Sequence, residues 1–176
     1  MNFLMPSLLR RTAMRMALAA MIPTTAVAAS GTVEFEGEIV QSSCEVTSAS
    51  RDQTVIIGTY PTSVFANVGD VSASKAFTLG LENCEPANYT VRFDGPTRAG
   101  HPSLLSVSEA TGVGIEILDF ADQPFPINQR IDNLASVEVG PDGSATVHLK
   151  ARYKSYESTV TAGQANATST FSIEYR

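Results

Sequence analysis

The sequence predicts an all-β domain of the immunoglobulin-like sandwich type, and three observations carry that prediction. Short runs rich in β-branched and aromatic residues recur along the 176-residue chain, and Gly, Pro, Asn and Asp punctuate the gaps between them. No stretch shows the 3.6-residue apolar period of a long amphipathic helix. Short strands at this spacing suit two stacked antiparallel sheets. The tryptophan typical of antibody domains is missing, since the chain has no Trp.

The first segment lies outside that fold. Arg10, Arg11 and Arg15 precede the apolar stretch "MALAAMI", Pro23 ends it, and "AVAA" supplies small residues for a signal peptidase. Residues 1–28 therefore read as an export signal, cleaved after Ala28 or, as the alternative, Ala29. The segment is too short and too interrupted to span a bilayer.

The exported chain starts with "GTVEFEGEIV", residues 31–40. Val33, Phe35 and Ile39 point one way with Gly37 between them, and Glu34, Glu36 and Glu38 point the other. That is the period of a strand with one dry and one wet face. It sits at a terminus, which is ragged unless something ties it down.

Further strands are predicted at "QTVIIGTY" (53–60), "SKAFTLGLENC" (74–84), "NYTVRFDG" (88–95), "VGIEILDF" (113–120), "ATVHLKARY" (145–153) and "TSTFSIEYR" (168–176). A helical turn is predicted near "TSVFANVG". "GPDGS" (140–144) is a turn between "ASVEV" and "ATVHL" and predicts a hairpin. In the last strand Phe171, Ile173 and Tyr175 share a face, so the sandwich ends on a half-apolar edge that water should not touch.

Removing residues 1–28 takes away three arginines and no acid, leaving nine basic against eighteen acidic side chains, a net charge near −9. Such a chain is a poor partner for nucleic acid or an anionic membrane. What remains is one domain of ordinary size.

Cys44 and Cys84 are the only cysteines, and in an oxidising compartment they most simply pair with each other. A metal site would need further ligands, yet His101 and His148 fall at no ligand spacing, so no metal or cofactor is expected.

Catalytic motifs are equally scarce. Neither Gly-x-Ser-x-Gly nor His-Glu-x-x-His occurs, and no nucleophile stands beside a base. "GVGIE" lacks the glycines of a phosphate loop. Lys150, Arg152 and Lys154 share one face of a strand, which reads as a wet face, and so do the three glutamates of residues 31–40.

Taken together these stretches resemble the type 1 fimbrial (pilus) subunit family of the chaperone-usher pathway. The resemblance runs through "GTVEFEGEIVQSSCEV", "QTVIIGTY", "FTLGLENC", "VGIEILD", "ARYKS" and "TAGQANATSTFSIEYR". It includes a penultimate aromatic residue, Tyr175, and a glycine fourteen places from the end, Gly163.

The resemblance implies an incomplete immunoglobulin-like sandwich of six strands with one disulfide, the seventh strand being donated by a partner. It divides the chain into a signal peptide (1–28), an N-terminal donor-strand extension (29–43) and a pilin domain (44–176). Val33, Phe35, Gly37 and Ile39 would be given to a neighbour. Gly163, Phe171, Ile173, Tyr175 and Arg176 would line the groove that receives a strand.

The implied partners are a periplasmic chaperone, an outer-membrane usher and neighbouring pilin subunits in a surface fimbrium. The implied role is structural, without chemistry. A linker or terminator position in the fibre, and a closed periplasmic sandwich acting as a binding module, are the alternatives. About 15 residues separate the cleavage site from Cys44, a length that resembles the minor, linker-type subunits.

Overall fold

The computed structural model describes residues 31–37, 44–130 and 137–175, Tyr175 by its backbone alone. The chain divides into two compact units, residues 1–38 and 39–176. In the first, residues 31–37 join no ladder, and Val33 and Phe35 are exposed. The strand expected over residues 31–40 is thus not a strand over its described part, and residues 38–40 lie outside the described residues.

The described residues of the second unit are all-β apart from two single turns of helix. Its elements are β1 (Glu45–Val46), α1 (Ser48–Arg51), a 3-10 turn (Thr62–Phe65), β2 (Lys75–Glu82), β3 (Tyr89–Asp94) and β4 (Thr97–Arg98). They continue with β5 (His101–Ser106), β6 (Val113–Asp119), β7 (Ala145–Ser155) and β8 (Thr170–Tyr175). Six of these strands have six residues or more, and β1 and β4 are two-residue ladders at a sheet edge. One antiparallel sheet runs β1-β2-β7-β6-β5-β4, and β3 and β8 form the second.

Alternation explains what lies between the sheets. Leu79 and Leu81 of β2, Ile115 and Ile117 of β6 and Val147, Leu149 and Ala151 of β7 face Val91 and Phe93 of β3, with Phe125 and Ile127 filling the end of the core. The centre of the large sheet is β7, bonded along its length to β2 and β6. Cys44 and Cys84 are joined with S–S 2.00 Å, which ties the start of the domain to the end of β2.

Two expectations need correction, and one long strand has no expectation behind it. Residues 53–60 have strand composition, yet they join no ladder. The turn at 140–144 forms, closed by Gly140 N–H donating to Ser144 O at 2.7 Å, but Val137 bridges to Tyr89 instead of pairing with β7, so no hairpin forms among the described residues. Strand β5 has no counterpart among the predicted strands, because "HPSLLS" carries a proline and does not alternate.

The basic face of β7 is also more than a wet face. Glu116 is fully buried on β6 directly opposite Arg152. Arg152 donates to its Oε2 through Nε at 2.8 Å and a terminal nitrogen at 2.7 Å, and Lys154 Nζ donates to Oε1 at 2.7 Å.

Candidate functional site

The candidate site is a cleft of about 1540 Å³ on the inner side of the second unit. Its floor is the apolar face of the large sheet, including Phe77, Leu79, Ile115, Ile117 and Tyr153. One wall is the segment 53–60, where Val55 and Ile57 turn inward while Ile56 points out and is 69 % exposed. That wall is held by side chains: Gln53 Nε2 donates to Thr78 O at 3.0 Å, and Tyr60 packs edge-on against Tyr153 at 6.1 Å.

The opposite wall is the run from residue 161 into β8. Ala165, Ala167, Ser169, Phe171 and Ile173 alternate as the half-buried side of an extended chain. Along one edge this run is bonded. Thr161 N–H donates to Thr111 O, Glu109 and Ala110 N–H donate to Gln164 O, and Ser108 N–H donates to Asn166 O. Farther on, β8 pairs with β3 from Thr170 opposite Asp94 to Tyr175 opposite Tyr89. Among the described residues its other edge joins no ladder.

Gly163 has a physical reason to be glycine. A Cβ there would meet Ala110 N and Glu109 Cβ, both at 3.0 Å, so a side chain would push the wall off its neighbour. Phe171 stands against Phe93 at 6.4 Å between ring centres, and Ile173 packs on the core. The backbone of Tyr175 completes the β3 ladder. Arg176 and Ile39 lie outside the described residues. Gly37 has no heavy atom close to the position of an added Cβ.

Sequence reasoning does not pick out Tyr153, whose hydroxyl donates to Ala165 O at 3.1 Å and ties the floor to the β8 wall. Burial, and then the neighbouring Tyr60, push its phenol above the usual value.

Among the described residues, two backbone edges that join no ladder stand above an apolar floor. An extended peptide laid between the walls would find main-chain partners on both sides and pockets for every second side chain. No cluster of three or more metal-ligating side chains occurs among the described residues, and none of their helices is long and apolar enough to cross a membrane.

The family model described as "Fimbrial protein" matches residues 33–176. The type-1 fimbrial protein subunit of Serratia marcescens is 53 % identical over 163 residues, covering 87 % of this chain and 91 % of its own. The fimbrial subunit type 1 of Salmonella typhimurium is 38 % identical over 162 residues, covering 87 % and 86 %. Among solved structures, the P pilus rod subunit superimposes with a TM-score of 0.65 at 23 % identity over 77 % of this chain and all of the other, a likeness of fold.

Proposed function

The chain belongs to the fimbrial protein family and is a structural subunit of a surface fimbrium, and from that premise we propose that its groove is filled by a strand from another molecule. The observation behind this reading is the open edge of β8, which faces the unladdered segment 53–60 across an apolar floor. Two edges and a dry floor in one place call for one more strand.

In this reading residues 29–43 of one subunit are the strand that completes the next. Val33, Phe35 and Ile39 enter the floor, Gly37 fits where the groove is shallow, and Glu34, Glu36 and Glu38 stay in water. Each large side chain contributes roughly 1.5–3 kcal/mol when fully buried. Before assembly, a periplasmic chaperone lends the strand, reading Phe171, Ile173, Tyr175 and Arg176. An outer-membrane usher then exchanges it for the next subunit's extension. Residues 1–28 direct the chain to the periplasm and are removed. The subunit's work is mechanical, with no chemistry at the groove.

The two ends of the chain make separable contacts, and this is testable. Deleting residues 31–40 leaves a subunit that still forms a chaperone complex and still accepts a donor peptide. It cannot extend a fibre onward. Native gels of the complex with and without added peptide, together with electron microscopy of fibres, read the two outcomes. A deletion variant that failed to fold even with chaperone present would place the segment inside its own domain and overturn the reading.

A further inference from the structure

The second unit has two poles, set by β7. At the Ala145 end lie the disulfide, the β1–β2 ladder at Glu45 and Glu82, and the turn at 140–144, joined to Cys84 by Cys84 N–H donating to Gly143 O. At the Ser155 end lie Val113 and the segment 62–71. The wall that begins at Thr161, bridged to Thr111, runs from this second pole toward the first, where Tyr175 pairs with Tyr89 and the Tyr89 hydroxyl donates to Glu85 O.

The Ser155 pole leaves large apolar side chains exposed. Five large apolar side chains are exposed in the described part of this unit, and three of them, Val64, Val68 and Val71, sit on the segment 62–71. Val68 is 62 % exposed.

The segment is nonetheless held tightly. Gly69 N–H donates to Ser155 O, Ser155 N–H donates to Asp70 O, and Ser155 Oγ donates to Asn67 O at 2.6 Å. Asn67 N–H donates to Asp70 Oδ2 at 2.7 Å, and Phe65 anchors the 3-10 turn in a small core with Ala110 and Val113. A loop fixed at so many points presents its valines in one arrangement, which lowers the entropy lost when a partner binds.

We infer that the Val64, Val68 and Val71 surface is the seat of a second copy of this chain, the one that donates its strand, which rests its disulfide pole there. This rests on the groove reading above and adds a contact between the domains themselves. A donated strand antiparallel to the 161–175 wall runs toward the Ser155 pole and leaves the groove there. Parallel insertion would crowd both neighbours of a subunit onto its disulfide pole, whereas an open filament needs its two contacts on different surfaces.

The tether then fixes the distance. From Ile39, the last apolar anchor, to Cys44 there are five Cα steps, at most about 18 Å. The donating domain therefore sits against the Ser155 pole, beside segment 62–71. Its own facing pole offers the exposed rings of Pro86 and Pro141 beside the acids Glu82, Glu85 and Asp142.

The test uses Val68→Glu in two settings. In fibres assembled from the full chain, the variant is expected to dissociate in guanidinium about tenfold faster than the unsubstituted chain, the effect of one valine's worth of burial. In a self-complemented monomer, with residues 29–43 appended after Arg176, the same substitution is expected to leave the melting temperature unchanged, since no second domain is present. Equal fibre dissociation rates would overturn the inference and leave the groove reading standing. A destabilised monomer would also overturn it, by assigning the valines to the fold. A chain that gained no stability from the appended segment would remove the groove reading and this inference with it.

Discussion

At the scale of single residues, the most consequential side chain away from the groove is Glu116. Its carboxylate has no exposed surface and accepts from both Arg152 and Lys154, whose side chains remain 22 % and 33 % exposed. Replacing it by Gln removes charge-assisted bonds, and the fold is expected to lose about 1.5–3 kcal/mol by denaturant unfolding of the complemented subunit. This cluster is only half legible in the sequence. Three cations at alternate positions read as a solvated face, and nothing in "VGIEILD" marks its glutamate as the partner, because cross-strand register is set by the whole sheet. Tyr153 gives a second prediction at this scale. A phenol whose value is raised on folding contributes stability that is fully present below the unfolded value near 10.0 and is lost as pH rises through the higher folded one. Tyr153→Phe is therefore expected to lessen the alkaline loss of stability above about pH 10. It should also cost about 0.5–1.5 kcal/mol at neutral pH through the missing bond to Ala165. Thermal melts across the pH range read both effects.

Among the elements, the sequence is most readable where a strand finds its partner in its own chain. β2, β3, β6, β7 and β8 lie within two residues of their predicted bounds, because each alternates or carries a dense β-branched run and each is flanked by turn residues. Residues 53–60 carry the same signals, and their composition is a sound guide to burial: Val55 and Ile57 do turn inward. What the segment lacks is a ladder, and a ladder is a property of two segments. The turn at 140–144 misleads in a related way, since a good turn fixes a reversal of the chain and not the pairing of the segments on either side. Gly163 is legible as a position but not as a reason, which emerges only from the backbone of Glu109 and Ala110 beside it. Gly163→Val is expected to force the wall away from that backbone and break the two bonds to Gln164 O. At about 0.5–1.5 kcal/mol each, these cost roughly 1–3 kcal/mol, read as a lower melting temperature of the complemented subunit.

For the whole molecule, the sandwich is held by one crosslink and, in the proposed assembly, by one borrowed strand. The crosslink spans 40 residues, and this stretch contains β1, the 53–60 wall and β2. In the chain-entropy model, losing it frees about 4 kcal/mol of unfolded-state freedom. Cys84→Ser is therefore expected to leave little folded subunit when no donor strand is supplied, measured by circular dichroism with and without donor peptide. A peptide of residues 30–42 added to refolding subunit should raise its stability with peptide concentration, as any ligand that binds only the folded state must. Phe35 is the largest side chain that peptide would bury, worth roughly 1.5–3 kcal/mol, and a carboxylate in its place adds the cost of putting a charge in a dry pocket. The Phe35→Asp peptide is therefore expected to bind at least about tenfold more weakly, whereas Glu36→Gln, on the wet side of the same strand, is expected to bind as the parent does. Equal affinities for the Phe35→Asp and Glu36→Gln peptides would mean that the strand has no buried face. The alternation of residues 31–40 would then have to be explained by something other than the groove.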